Sequence, residues 1–326
     1  MKDMIAGEFK KPLSDARAGL DKLEICIDRP EAPVKYSIKI NGMGAIPEGE
    51  FVLIKGKKKS GKTHFIIMLT ATLVFGDSFG FTGNGGKTLL FFDTEQSRSD
   101  GYSLLRLMYE SAGIGYNPCE RLHYYSLKSC NKDERKKYIE DAVKQYHPNV
   151  IVIDGLRDLL NDFNDITESG ELMQWMKNLT DNGLTVIGVL HQNKGEQDKN
   201  SRGHLGTEAE NKAASIIEVS KKDNVFTVSE SDSRHAAFSD FNFSIDDNGK
   251  IHTVESIVQS SESRDNEIMD TFRKVFTGKA ELLHTELIKS YAMQSGKSEK
   301  TAQRHLQKAL SRDFIKVNAD KYYLPQ

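Results

Sequence analysis

The chain has 326 residues, which is enough for one large domain and a small one. Its 38% hydrophobic and 28% charged residues are typical of a globular protein. The net charge of −2 excludes binding of nucleic acid through overall charge, so any nucleic-acid surface must be local. No apolar run approaches the roughly 20 residues of a membrane span, and three cysteines without C-x-x-C spacing argue against a disulfide framework or zinc site. We therefore expect a cytoplasmic protein without a membrane partner.

The apolar pattern divides the chain into successive regions. Residues 1–30 are charged and weakly periodic, and we interpret them as an N-terminal arm. Strand and helix patterns alternate over residues 31–255, which favours an α/β core of three layers with a mostly parallel sheet. The predicted strands are Val52–Lys55, Lys87–Phe92, Leu122–Ser126, Val150–Ile153, Leu184–Leu190 and Ser215–Val219, with helices at Gly101–Ser111, Lys132–Tyr146 and Glu171–Asp181. Beyond residue 220 the pattern changes to antiparallel strands around a turn at Asn248-Gly249.

Residues 56–63 read G-x-x-x-x-G-K-T, the sequence of a phosphate-binding loop. Glycines let the backbone point N–H groups inward, Lys62 brings a cation to the β- and γ-phosphates, and Thr63 offers a hydroxyl to Mg²⁺. An apolar strand precedes the loop and an apolar helix follows it, so the helix N-terminus would face the phosphates. The alternative is a chance turn rich in Gly and Lys. The loop predicts ATP and Mg²⁺ as ligands, and its predicted nucleotide contacts are Gly56, Lys57, Lys58, Lys59, Ser60, Gly61, Lys62, Thr63 and His64.

Two carboxylates follow apolar strands where a nucleotide-hydrolysing site needs them. Glu95 comes just after the strand that ends at Phe92, and there it can polarise the attacking water. The alternative is a solvated loop carboxylate. Asp154 ends the apolar run Val150–Ile153, where it can hold Mg²⁺ directly or through water. The alternative for Asp154 is a carboxylate that caps a helix.

Polar and cationic residues near later strands are candidates for sensing the γ-phosphate. His191 and Gln192 follow the strand that ends at Leu190 and can report loss of the phosphate to the next loop, although a core histidine is the alternative. Arg202 and Arg234 can reach a neighbouring subunit's γ-phosphate as an arginine finger, although either one can be a surface arginine.

These motifs occur in the order of RecA-type ATPases, and the chain resembles that family over about residues 30–250. The motifs that carry the resemblance are Gly56–Thr63, Phe91-Phe92-Asp93-Thr94-Glu95, Val150–Asp154, Leu190-His191-Gln192 and Ser201-Arg202-Gly203. Within the family the chain looks most like the RepA-type branch of hexameric replicative helicases from plasmids and mobile elements. A His-Gln-x-Lys stretch, followed by a polar loop and Arg-Gly, is the match to that branch.

The resemblance implies a RecA-like core in rings or filaments, with ATP between subunits and single-stranded DNA pulled through a hexameric ring. It implies Lys62 and Thr63 at the phosphates and Mg²⁺, Glu95 as catalytic base, Asp154 at Mg²⁺ and His191 or Gln192 as sensor. Arg202 or Arg234 would act in trans. Two positions depart from the pattern: Asp232 stands where DnaB-like relatives have Lys, and Gly155 stands where recombinases commonly have Ser.

A polar loop at Asn193–Leu205 is the candidate for contacts with single-stranded DNA. It carries Lys194, Lys199 and Arg202 among Gly, Asn and Ser, and phosphate contacts from such residues would be independent of sequence and sensitive to salt. The alternative is an ordinary mobile surface loop.

After a Ser-, Glu- and Gln-rich segment at 256–266, interpreted as a linker, residues 267–326 show the element order of a winged helix-turn-helix. Residues 271–326 hold eleven Lys and Arg against five Asp and Glu, a net charge of +6. The helix that starts after Ser298 would bury Ala302, Leu306, Ala309 and Leu310. It would turn Lys300, Thr301, Arg304 and Lys308 towards duplex DNA. The alternative is a winged helix that binds protein.

The sequence leaves three functions open. The leading interpretation is an ATP-driven, ring-forming DNA helicase or translocase that serves replication or mobilisation of a plasmid or mobile element. A DNA-binding regulatory or maintenance ATPase is the second, and a RecA/RadA-like recombinase is the third.

Overall fold

A computed structural model describes most of the chain, in two compact units. The described residues are 23–28, 30–192, 201, 203–234, 237–247, 249–254, 261–296, 298–318 and 321–325. The first unit comprises Met1–Lys221 and Val228–Ser239, and the second comprises Lys222–Thr227 and Asp240–Gln326. The predicted arm at 1–30 and the predicted loop at 193–205 lie largely outside the described residues.

The first unit is built on a large, mostly parallel sheet. The strands of this part of the chain, three of which form a separate small sheet, are β1 (Tyr36–Ile40), β2 (Met43–Pro47), β3 (Phe51–Gly56), β4 (Phe81–Thr82), β5 (Leu89–Asp93), β6 (Leu122–Ser126), β7 (Val150–Asp154), β8 (Thr185–His191), β9 (Ser215–Lys222) and β10 (Val225–Ser233). Seven of them lie side by side in the order β10-β9-β3-β8-β7-β5-β6. The pairs from β9 to β6 are parallel, so the carboxyl ends of these strands meet at one edge of the sheet.

Helices cover the sheet because its central strands are apolar on both faces. The helices of this unit are α1 (Lys62–Phe75), α2 (Arg98–Ser111), α3 (Lys132–Tyr146), α4 (Ile166–Asp181) and α5 (Gly203–Lys212), with a 3₁₀ turn at Leu156–Leu159. Residues of α3, α4 and α5 share one apolar cluster with alternate strand residues such as Leu53 and Ile151. The intervening strand residues, such as Val52 and Val150, are equally buried, and α1 packs on β3 and β5. The predicted three-layer α/β core is therefore confirmed.

The small sheet β2-β1-β4 was not predicted from the sequence. Its hairpin turns at Asn41-Gly42, where both residues have positive φ, 51° and 79°. Asn-Gly is the strongest short-range hairpin signal, and alternating Ile38 and Ile40 precede it. The signal was present, but the alternation is only a few residues long.

The second unit contains a hairpin, three helices and a small antiparallel sheet. Its elements are β11 (Phe241–Ile245), β12 (Ile251–Val254), α6 (Ser261–Val275), β13 (Leu282–Leu283), α7 (His284–Ser295), α8 (Glu299–Ser311), β14 (Lys316–Asn318) and β15 (Lys321–Tyr323), with sheet order β13-β15-β14. Its helices enclose a core that includes Phe272, Leu287, Tyr291, Leu306 and Ile315. No helix of the described part has the length and apolar character to cross a membrane.

Of the predicted linker 256–266, residues 256–260 lie outside the described residues, and residues 261–266 belong to α6, which begins at Ser261. The prediction of a linker rests on the polar composition of this stretch. Glu and Arg have good helix propensity, however, so a polar stretch is compatible with helix as well as with coil.

Candidate functional site

The phosphate loop lies between the end of β3 and the start of α1. Gly61 caps the helix in the left-handed region, with φ of 92°, which favours glycine. Lys59 also has a positive φ, of 64°, and such backbone strain in a non-glycine residue is concentrated at functional sites. The helix therefore starts directly at the loop, with its N-terminal N–H groups available to an anion.

The Lys62 side chain folds back over the loop. Its ammonium donates to the carbonyl oxygens of Gly56 and Lys57, each at 3.0 Å. Burial lowers the pKa of Lys62, and the charges of Asp154 and Glu95 oppose that effect. The buried Lys62 cation therefore lies under the electrostatic influence of Asp154 and Glu95, at the loop where phosphate would bind.

A chain of hydrogen bonds links Lys62 to Glu95 through His191. Lys62 Nζ lies 3.2 Å from His191 Nδ1, and His191 Nε2 lies 3.2 Å from Glu95 Oε1. An ammonium only donates, so Nδ1 accepts and the proton of a neutral imidazole sits on Nε2, from which it donates to the carboxylate. The bond to His191 is the largest cause that lowers the pKa of Glu95, and burial opposes it.

Asp154 ends β7 next to Asp93 at the end of β5. Burial, followed by the charges of Glu95 and Asp93, raises the pKa of Asp154 to about 7, while Lys62 lowers it. A buried carboxylate crowded by like charges is a good ligand for a cation. The Thr63 hydroxyl stands at the start of α1, so Asp154 and Thr63 fit the few protein ligands that Mg²⁺ takes beside phosphate oxygens.

Gly155, which replaces the serine common in recombinases, has a structural reason. Its φ is 106°, and a Cβ at this position would lie 2.1 Å from Thr94 Oγ1. Thr94 Oγ1 is itself fixed, because it donates to the Asp158 carboxylate at 2.7 Å. A side chain at position 155 would displace the turn that carries Glu95.

Six of the predicted site residues line one cavity of about 780 Å³ at the carboxyl edge of the sheet. Lys57 and Lys58 from the phosphate loop, Glu95, Asp154, His191 and Gln192 all border it. Gln192 also donates its backbone N–H to Gly56 O at 3.2 Å, which ties the end of β8 to the phosphate loop. His64, one residue past the loop, is half-buried, and burial lowers its pKa.

A family model described as an AAA domain, AAA_25, matches residues 27–197. The chain belongs to this AAA family. Together with the phosphate loop, the family identifies the first unit as a P-loop ATPase built on a large, mostly parallel sheet.

No curated protein matches the AAA chain. A solved structure, that of a KaiC-like protein from the hyperthermophilic archaeon Pyrococcus horikoshii, is similar to it with 21% sequence identity and a TM-score of 0.46. The match covers 68% of this chain and all of the archaeal one.

Arg234 does not border the cavity of the AAA domain that holds Glu95. Its backbone N–H bonds to Ala214 O, and Ala214 N bonds to Phe51 O at the start of β3, whereas the phosphate loop follows the end of β3. Arg234 instead borders a second cavity, of about 560 Å³. Lys194, Lys199 and Arg202 lie outside the described residues.

Sequence reasoning missed Arg157 in the AAA domain. This arginine lies in the turn after Asp154, borders the same cavity as Glu95, and stacks over the Phe163 ring at 4.3 Å. Its only signal in the sequence was its position three residues after Asp154, the predicted Mg²⁺ ligand, and no motif covers it.

The candidate DNA contacts lie on α8 of the second unit. Arg304 is exposed, while Lys308 and Thr301 are half-buried. The Ser298 side chain accepts the Thr301 N–H at 3.3 Å, which confirms the predicted serine cap. Ala302, Leu306 and Ala309 are buried as predicted and Leu310 is half-buried, while the Lys300 side chain lies outside the described part.

Proposed function

We propose that this protein is an ATP-hydrolysing DNA helicase or translocase that forms a ring and serves replication or mobilisation of a plasmid or mobile element. The observation that carries the ATPase chemistry is the hydrogen-bonded chain from Lys62 through His191 to Glu95, at a cavity bordered by Asp154. Two hydrogen bonds thereby link three groups that have separate tasks in phosphoryl transfer.

The chemistry follows from the properties of these groups. In the bound state Lys62 exchanges the carbonyls of Gly56 and Lys57 for phosphate oxygens, which also frees His191. Glu95, ionised because its pKa is lowered, then accepts the proton of the attacking water. Mg²⁺ held by Asp154 and Thr63 would neutralise charge that develops on the phosphates.

The position of Arg234 supports assembly with a second copy. Arg234 lies near the start of β3, and the six residues of β3, at about 3.3 Å each, separate it from its own phosphate loop by roughly 15–20 Å. It can therefore act on a γ-phosphate only in trans. This supports a homo-oligomeric ring with ATP between subunits, in which Arg202 is the other candidate finger.

The order of elements in the second unit supports a winged helix that contacts DNA. Two helices are followed by α8 and the β14–β15 hairpin, and the hairpin pairs with β13. Arg304 on α8 and Lys316 on β14 are exposed cations of this unit. Such a face suits duplex phosphates, with single-stranded DNA bound by the polar loop of the first unit. The same basic face favours a DNA-binding regulatory ATPase as the second candidate.

The test is ATP-dependent unwinding of a forked DNA duplex by the wild type, Glu95→Gln and Glu171→Gln. Glu171 is an exposed glutamate of α4 and serves as the matched control. We expect unwinding by the wild type and the control, and none by Glu95→Gln, which should still bind ATP.

Two results would contradict the proposal in different ways. Hydrolysis stimulated by DNA without strand separation would exclude a helicase and favour the regulatory ATPase. Near wild-type turnover in Glu95→Gln would remove Glu95 from the chemistry.

A further inference from the structure

Asp93 is a buried carboxylate to which no sequence motif assigned a role. It is the last residue of β5, stands two residues before Glu95 and has no exposed surface. One of its oxygens, Oδ1, accepts the backbone N–H groups of Glu95 and Gln96, both at 2.9 Å. A buried carboxylate is rarely without such partners, and these two bonds hold Asp93 against the turn that carries Glu95.

The other oxygen of Asp93 accepts the hydroxyl of Tyr124, a residue of the neighbouring strand β6. The Tyr124 ring is itself held in place, because it stacks on Phe91 with centroids 4.8 Å apart and lies against Gly101 of α2. Burial and, after it, the bond to Asp93 raise the pKa of Tyr124, so its hydroxyl remains a donor. Asp93 therefore receives three hydrogen bonds from groups of fixed position.

The turn that Asp93 holds is fastened on its other side by Thr94. The Thr94 backbone N–H donates to Asp154 O at 3.1 Å, and its hydroxyl donates to the Asp158 carboxylate at 2.7 Å. Glu95 thus leaves a turn whose backbone is fixed through Asp93 on one side and through β7 on the other. These bonds fix the backbone from which the Glu95 side chain leaves, and the contact of its carboxylate with His191 at 3.2 Å holds the far end.

We infer that Asp93 is a positioning residue for Glu95, and that Tyr124 holds Asp93 in that role. The inference rests on the proposed function, in which Glu95 activates the attacking water. Asp93 has no exposed surface, so its effect on the reaction passes through the protein. It acts by fixing the N–H of Glu95, so that the carboxylate stays within reach of the reacting atoms.

Loss of this support should affect the chemical step and spare nucleotide binding. Among the described residues, no hydrogen bond joins Asp93 to Lys62 or to the phosphate loop. Asp93→Ala frees two N–H groups of the turn, and a misplacement of about 1 Å can cost about 100-fold in rate. Asp93→Asn keeps an oxygen that can accept these N–H groups, so it should restore much of the rate. Tyr124→Phe removes one bond of three and should lower kcat less than Asp93→Ala.

The experiment measures kcat, the nucleotide Kd and Tm for Asp93→Ala, Asp93→Asn, Tyr124→Phe and Glu95→Gln. Tyr125→Phe is the matched control, because Tyr125 lies in the same strand but stacks on Phe92. We expect kcat to fall 10- to 100-fold in Asp93→Ala, with Kd unchanged and partial recovery in Asp93→Asn. Should Asp93→Ala fail to fold, Tyr124→Phe and Asp93→Asn against Tyr125→Phe still decide.

The outcomes separate the inference from the function on which it rests. Turnover by Glu95→Gln at the wild-type rate would overturn the proposed function itself. With Glu95→Gln inactive, wild-type kcat in both Asp93→Ala and Tyr124→Phe would overturn the positioning role. Parallel loss of kcat, nucleotide affinity and Tm would also overturn it, because it would show that Asp93 serves the fold alone.

Discussion

At the carboxyl edge of the first unit's sheet, several charged groups are buried or hydrogen-bonded within the site, whereas on α8 of the second unit Arg304 is exposed. Lys62 and Asp154 are buried, and Asp93 is completely enclosed. Arg304 on α8 and Lys316 on β14 are exposed, whereas the apolar core of their unit is buried. In the first region Lys62 and Asp93 are held by hydrogen bonds to protein groups, whereas in the second Arg304 and Lys316 face solvent.

The difference determines how a substitution acts in each region. Inside the first site, removal of one group leaves a buried partner unsatisfied and changes a specific chemical step. On the second unit, removal of an exposed cation leaves the fold intact and changes attraction to an anionic partner. Core substitutions should therefore be the main threat to the second unit, and polar substitutions the main threat to the first.

Lys62→Ala should have the largest effect. It removes the cation that stabilises developing phosphate charge, and loss of one such donor costs about 10²–10³-fold in rate. It also leaves the carbonyls of Gly56 and Lys57 without this donor. Phosphate release measured beside Lys137→Ala, an exposed lysine of α3, checks this. Hydrolysis within a few-fold of wild type would show that the hydrogen-bonded chain from Lys62 to Glu95 is not the catalytic centre.

Leu306→Ala should destabilise the second unit strongly while sparing nucleotide binding. Leu306 is a fully buried residue of its core, and Leu→Ala in a core costs about 2–5 kcal/mol. A core of this size has little stability to lose. Hydrogen exchange of α7 and α8, together with the nucleotide Kd, checks the prediction. The control is Gln307→Ala on the exposed face. A parallel loss of nucleotide affinity would show that the two regions are not separable.

The same contrast explains what could be predicted from the sequence. The spacing of Gly56, Gly61 and Lys62 predicts a phosphate loop because each residue answers a local need of the backbone or the ligand. Val150–Ile153, apolar on both faces, predicts a buried parallel strand ending in a carboxylate for similar reasons. The structure has both strands in one parallel sheet, so the core of the first unit could be predicted from such local patterns.

Contacts between distant segments could not be predicted. His191 meets Lys62 and Glu95 only through the order of β3, β8 and β5 in the sheet, which no single segment contains. The close approach of Thr94 to Gly155, which leaves no room for a Cβ, likewise arises between residues that follow two different strands. The helix over 261–266 was missed because its polar residues are compatible with two conformations.

Arg304→Ala combined with Lys308→Ala should weaken duplex DNA binding moderately. Each lost phosphate contact reduces the salt slope of binding by about 0.9, so two give about 1.8. DNA-independent hydrolysis should not change, because these residues belong to the second unit. Binding titrations at several salt concentrations check this, with Lys137→Ala combined with Lys144→Ala as a control of equal charge. An unchanged salt slope would favour a protein partner for α8.

His191→Ala should shift the acid limb of hydrolysis to higher pH. The bond from His191 is the largest cause that lowers the pKa of Glu95, and burial acts in the opposite direction. Without the imidazole the burial effect remains, so the pKa of Glu95 rises and the base becomes protonated, and inactive, at a higher pH as the solution is acidified. His191→Gln, whose amide can still donate to Glu95, should shift the limb less.

Single-turnover rates over an acidic pH series measure this effect even if the overall rate falls. The pH at which the rate reaches half its plateau should be lowest in the wild type, higher in His191→Gln and highest in His191→Ala. His284→Ala, in the second unit, should match the wild type because His284 is not part of the hydrogen-bonded chain from Lys62 to Glu95. Identical acid limbs in all four proteins would mean that the bond at 3.2 Å does not set the ionisation of the base. The charges of Lys62 and Lys58, which also lower this pKa, would then carry that role.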